Sequence, residues 1–132
     1  MSDIFVVDAS IVVDLLARYR PQPLEDLLWA PNTLLAAPEL MEIEALQALR
    51  KLDSSGAIPA SRSGELLHLL RGLRIRKYRH DNLLESIWAL RHNVTAYDAA
   101  YVVLARALKA TLVTRDMRLA QAPGLNVRVM TP

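Results

Sequence analysis

The chain contains no cysteine. That absence removes disulfide frameworks, thiolate zinc sites and cysteine nucleophiles together, and it accords with a cytoplasmic location. Aromatic residues are scarce, at 5%, so the core is expected to be aliphatic, built from Leu, Val, Ile and Ala. Long apolar runs are missing too. None approaches the ~20 residues that span a bilayer, and no membrane association is expected. The opening residues, MSDIFVVDAS, lack a basic segment followed by an apolar stretch and do not read as a signal peptide. Charge of one sign does not dominate: 16 Lys and Arg against 14 Asp and Glu leave a formal net charge of +2. The total charge therefore does not announce nucleic-acid binding.

What is present suits one soluble domain. The 132 residues are 52% hydrophobic and 23% charged, which fits a single core spanning residues 1–132. Strand and helix signals alternate. Ile4–Val7 reads as a buried strand ending in Asp8, and Ser10 is placed to cap a helix from Ile11 to Tyr19. Pro21 and Pro23 stop that helix, and a short helix is expected over Leu24–Trp29. Leu34–Ala37 reads as a second strand. Pro38 is expected to open a helix over Glu39–Asp53, with another over Ser61–Leu73. Arg74–Arg79 suggests a third strand. Asp81 and Thr95 are read as caps of helices ending near His92 and Lys109. Thr111–Val113, Asp116–Gln121 and Val127–Met130 complete the chain as strand, helix and strand. The alternation implies a three-layer α/β/α sandwich with a mostly parallel sheet. In such folds, sites form at the carboxyl ends of the strands, here at Asp8 and Thr114–Asp116.

Four acids occupy awkward places. Asp8 closes the first strand and Asp116 follows the Thr111–Val113 strand; each also fits the cap of the next helix. Asp98 lies in a helix whose residues 97–108 are apolar nearly all round. A bare carboxylate there needs a partner, a cap or a metal. Thr95-Ala96-Tyr97-Asp98 fits a capping box, so the cap and the ligand readings both stand. Glu44 competes with Glu42, since both border the apolar stripe of their helix and periodicity does not choose. Convergence of such acids would call for a cation. An oxygen-only set favours Mg²⁺ or Mn²⁺ over Zn²⁺. His68, His80 and His92 lack metal-ligand spacing and read as surface residues.

Basic residues crowd Arg71, Arg74, Arg76, Lys77 and Arg79. Such a cluster can hold phosphates, and Arg74, Arg76, Lys77 and Arg79 are the RNA-contacting set this suggests; a solvated loop and strand edge accounts for it equally. Trp29, Leu28 and Leu66–Leu70 suggest an apolar groove or interface, against the plainer reading that they belong to the core.

The segments VVDASIVVDLL, APELMEIEALQALRK, TAYDAAYVVLARAL and TLVTRDMRLA together resemble the four acidic motifs of VapC-type PIN-domain ribonucleases, in order and along nearly the whole chain. The resemblance selects Glu44, six residues after Pro38, over Glu42. It implies a Mg²⁺ or Mn²⁺ site made of Asp8, Glu44, Asp98 and Asp116, with Ser10 and Thr114 in support. It further implies hydrolysis of RNA, a homodimer and a cognate antitoxin protein. Gln47 stands where many relatives carry Asn, and Glu42 is an extra acid; neither departure removes a ligand. A PIN nuclease outside toxin–antitoxin systems and a PIN-like module that binds RNA or a partner without cutting are the alternatives. A phosphatase with an aspartyl nucleophile would want Asp-x-Asp where the chain has Asp8-Ala9-Ser10. A receiver domain would want an acidic pair after the first strand and a late lysine where the chain has Thr114-Arg115-Asp116. No His/Lys pair suggests a metal-free ribonuclease.

Overall fold

The computed structural model describes residues 3–17, 25, 26 and 28–132. The expected end of the first helix at Tyr19, the stops at Pro21 and Pro23, and Leu24 and Leu27 of the expected short helix lie outside the described residues.

Among the described residues, five strands form one sheet in the order β3-β2-β1-β4-β5. They are β1 (Asp3–Val7), β2 (Thr33–Pro38), β3 (Ile75–Tyr78), β4 (Thr111–Val113) and β5 (Val129–Met130). Every described pairing is parallel. The central strand β1 registers Phe5 with Leu35 on one side and Thr111 on the other. After the exposed Asp3, β1 is a continuous apolar run, residues 4–7, because a central parallel strand is covered on both faces, and Val6 and Val7 are fully buried.

Among the described residues, six α-helices with full bounds lie between the strands: α1 (Ala9–Leu16), α2 (Leu40–Ser54), α3 (Ser63–Gly72), α4 (Leu84–Ala89), α5 (Ala96–Leu108) and α6 (Met117–Gln121). Helices α1, α2 and α3 pack together as one layer. Helix α5, with α4 against it, lies over β1, β2 and β4 as the other. The result is the expected α/β/α sandwich. Its core is aliphatic, with Phe5 and Tyr101 the aromatic members among the described residues. The apolar character of α5 follows from its place: Ala99–Ala105 are all buried. The helix stops at Lys109, whose φ of 53° ends the α-helical run and turns the chain toward β4.

Several local expectations are corrected. Asp8, not Ser10, caps α1. Its extended backbone sets its carboxylate to accept from the Ile11 amide, so the helix opens at Ala9. Pro38 does not open α2. It ends β2 opposite Tyr78, and the chain turns at Glu39, whose N–H donates to the Tyr78 carbonyl. The expected helix over Ser61–Leu73 divides into a 3₁₀ turn (Ala60–Arg62) and α3. The one expected from Asp81 to His92 divides into a 3₁₀ turn (Asp81–Leu83) and α4, which ends at Ala89. Asp81 does not cap it, because its carboxylate faces the Arg79 guanidinium at 3.2 Å.

The strand order reverses between β1 and β4. From β1 the chain moves outward to β2 and β3; β4 then returns to the other side of β1 and leads to β5. Above the carboxyl ends at such a switch point the connecting segments diverge and leave a crevice. Asp8 and Thr114 stand at its two sides.

Candidate functional site

Asp8 directly follows β1 and is buried. Its carboxylate accepts from the Ile11 amide, the Ser10 hydroxyl and the Thr114 hydroxyl. Thr114 is fully buried at the end of β4 and accepts from the Asp116 amide at 3.0 Å. The Ser10 hydroxyl in turn accepts from the Arg115 amide at 3.2 Å. The two central strand ends are thus joined side chain to backbone, which fixes the direction of the Asp8 carboxylate. Burial pushes its pKa up, and the hydroxyl and amide donors hold that rise in check.

Glu44 comes from α2 and is half-buried. Its Oε1 accepts from the Tyr101 hydroxyl at 2.6 Å. Its pKa is raised, first by burial and then by the charges of Asp98 and Asp8, against the Tyr101 hydrogen bond. Asp98 lies in the first turn of α5, where its amide donates to the capping Thr95 hydroxyl at 3.1 Å. It is half-buried rather than enclosed, since the start of the helix, at Ala96 and Tyr97, is exposed. Burial raises its pKa, followed by the Asp116 and Asp8 charges, while Thr95 and Arg118 pull it down. Asp116 caps α6, its Oδ1 accepting from the Arg118 and Leu119 amides at 2.9 and 3.3 Å.

The four acids therefore form one electrostatic group: Glu44 feels Asp98 and Asp8, and Asp98 feels Asp116 and Asp8. As the side chains are set, no three Asp, Glu or His residues among the described ones stand close enough to share an ion. Capping accounts for this at Asp8 and Asp116, where carboxylate oxygens point at helix amides. A carboxylate oxygen has lone pairs to spare beyond one hydrogen bond, so capping and coordination are compatible. The donor chemistry, all oxygen and mutually repelling, suits a hard divalent cation. His68, His80 and His92 are exposed.

A family model described as PIN domain matches residues 5–125. The chain is 42% identical over 121 residues to ribonuclease VapC1 of Mycobacterium tuberculosis, covering 91% of each. The chain belongs to the PIN-domain family, in its VapC branch. Two solved structures share the fold. One, a crystal structure from Pyrobaculum aerophilum, has a TM-score of 0.68 at 24% identity and covers 99% of this chain and 92% of its own. The other is VapBC2 from Rickettsia felis bound to a promoter DNA fragment, with a TM-score of 0.71 at 17% identity over 97% and 98% of the two chains.

Within this PIN domain the two competing glutamates part company. Glu42 faces β3 and pairs with Lys77 at 3.8 Å, whereas Glu44 faces the other acids. The basic stretch lies along β3, at the edge of the sheet. Lys77 is engaged by Glu42 and Arg79 by Asp81. Arg76 lies over the Tyr78 ring at 5.2 Å. Neither Arg74 nor Arg76 has an acidic partner among the described residues. The suggested apolar set divides as well. Leu28, Leu66 and Leu70 are core, while Trp29 and Leu67 are 54% and 48% exposed. Leu46 and Leu67 border a groove of about 180 Å³ between α2 and α3. Among the described residues, no helix is long and apolar enough to cross a membrane.

Sequence reasoning missed two participants. Tyr101 was visible only as a tyrosine in an apolar helix, three residues after Asp98. Arg115 pairs with the buried Asp14 of α1 and donates to the Pro132 carbonyl, bracing the loop between Thr114 and Asp116. The signal for it was an acid inside the otherwise apolar IVVDLL of α1.

Proposed function

We propose that residues 1–132 act as one PIN-like nuclease domain. It is a Mg²⁺- or Mn²⁺-dependent endoribonuclease and the toxin of a type II toxin–antitoxin pair, acting in the cytoplasm as a homodimer held in check by a cognate antitoxin protein. What supports this reading most is the electrostatic coupling among Asp8, Glu44, Asp98 and Asp116 near the switch point: burial raises the pKa of Asp8, and burial together with the neighbouring carboxylates raises those of Glu44 and Asp98. The likeness to ribonuclease VapC1 supports RNA as the substrate, and the toxin–antitoxin complexes sharing the fold support the antitoxin. The exposed Trp29 and the groove bordered by Leu46 and Leu67 are apolar surfaces that a protein partner would cover.

Asp8, Glu44, Asp98 and Asp116 would hold the cation. When bound, such an ion supplies an activated water nucleophile and offsets negative charge on the reacting phosphodiester. The protein's own part is positional. Ser10 and Thr114 fix the Asp8 carboxylate, Thr95 anchors the turn bearing Asp98, and the α6 amides orient Asp116. Arg74, Arg76, Lys77 and Arg79 on and beside β3 would attract the RNA backbone.

Purified protein should cut single-stranded or loop RNA with Mg²⁺ or Mn²⁺ and stop with EDTA. Glu44→Gln should lose at least 100-fold in rate, in line with about 3 kcal/mol or more of transition-state stabilisation, while Glu42→Gln retains it. Full cutting after exhaustive chelation, or loss at Glu42 and not Glu44, would overturn the assignment.

A further inference from the structure

Tyr101 is 2% exposed and is the one buried tyrosine among the described residues. A buried phenol needs a hydrogen-bond partner, and this hydroxyl finds one on another helix. It donates to Glu44 Oε1 at 2.6 Å. One hydrogen bond thus joins α5 to α2 beside the acidic site. Asp98 precedes Tyr101 by three residues, so the carboxylate and the hydroxyl share a face of α5.

The surroundings give this contact a specific task. Asp98 and Asp8 both repel Glu44, and the Glu44 side chain is partly open to water. A glutamate with free rotamers in that position swings outward, away from the two charges. The Tyr101 hydroxyl is the only hydrogen-bond donor to the Glu44 carboxylate among the described residues.

We propose that Tyr101 is a positioning residue for the acidic site: its hydroxyl holds the Glu44 carboxylate inward, beside Asp8, and thereby raises the affinity of the site for a divalent cation. This rests on the reading of Glu44 as a ligand. The residue does not touch the reacting atoms; it acts through Glu44.

Calorimetric titration with Mn²⁺ tests it on wild type, Tyr101→Phe, Glu44→Gln and the double variant. Tyr101→Phe keeps the buried ring and removes the hydroxyl. It should weaken Mn²⁺ binding about 10- to 100-fold, the usual effect of removing a group that orients a metal ligand. At saturating Mn²⁺ it should recover most of the wild-type kcat for RNA cleavage. In the Glu44→Gln background the same substitution should change affinity less than about twofold, because the partner is already gone. A second measurement leaves Tyr101 in place. Mg²⁺ should produce a tyrosine difference-absorbance signal in wild type that is lost in Glu44→Gln. Glu44→Gln binding Mn²⁺ like wild type would overturn the reading of Glu44 itself. A weakened Glu44→Gln beside a Tyr101→Phe with wild-type affinity, or a wild type with no tyrosine signal, would overturn the role of Tyr101 alone.

Discussion

Asp8 accepts hydrogen bonds from Ser10, Thr114 and the Ile11 amide, yet burial still lifts its pKa. Glu44 and Asp98 are lifted as well. In the metal-free protein these groups keep protons that the unfolded chain, with Asp near 3.9, has already lost. Between the unfolded and the raised folded pKa, the native state therefore binds more protons than the unfolded state. Stability contributed by these groups is present below that window and falls as pH rises through it. Asp8→Asn removes one such group. In EDTA, denaturant unfolding from pH 4 to 7 should show the variant gaining on wild type as pH rises. A variant that loses ground over the same range would mean that Asp8 ionises more easily folded than unfolded. At this scale the sequence was legible in residue type and not in partner. Asp8 and Thr114 are 106 residues apart, and Glu44 and Tyr101 are 57 apart. No local pattern announces contacts that only the fold creates.

Elements were legible where their signals are local. The apolar runs of β1 and β4, the Thr95 cap of α5 and the Asp116 cap of α6 all lie within a few residues of their causes. The divided helices were not. Arg79 draws the Asp81 carboxylate away from the amides it was expected to cap. Pro38 completes β2 because a strand end, like a first helical turn, does not need its missing N–H. Strand β3 shows how an element can hold two roles. Its charged residues protect an open sheet edge from pairing with another chain, and Arg74 and Arg76 have no acidic partners among the described residues. Those two, rather than Lys77, should carry the electrostatic pull on RNA. In an Asp8→Asn background, where the RNA survives, Arg74→Ser with Arg76→Ser should lower the slope of log affinity against log salt by roughly 1.4, about 0.7 for each lost phosphate contact on a single strand. Filter-binding across a salt series reads this, and an unchanged slope would leave the two arginines as edge protection alone.

At the scale of the whole molecule, the parallel sheet gathers at one edge acids that lie far apart in the chain. The sandwich and its parallel sheet were readable from alternation alone. The convergence of the acids was an inference from topology and resemblance, since helical periodicity could not separate Glu44 from Glu42. The structure separates them by what each faces: Lys77 for Glu42, Tyr101 and two aspartates for Glu44. Holding mutually repelling carboxylates together disfavours the folded state until a cation joins them. Ligand linkage puts a size on the gain. At a Mg²⁺ concentration about 100 times the dissociation constant, stabilisation is ~2.7 kcal/mol, or roughly 8–13 °C in Tm for a domain of this size. The most direct measurement is therefore the melting temperature of wild type and Asp8→Asn, each with EDTA and with saturating Mg²⁺. The account predicts a rise of that order in wild type and a much smaller one in Asp8→Asn. Equal Mg²⁺-induced rises in the two proteins would contradict it.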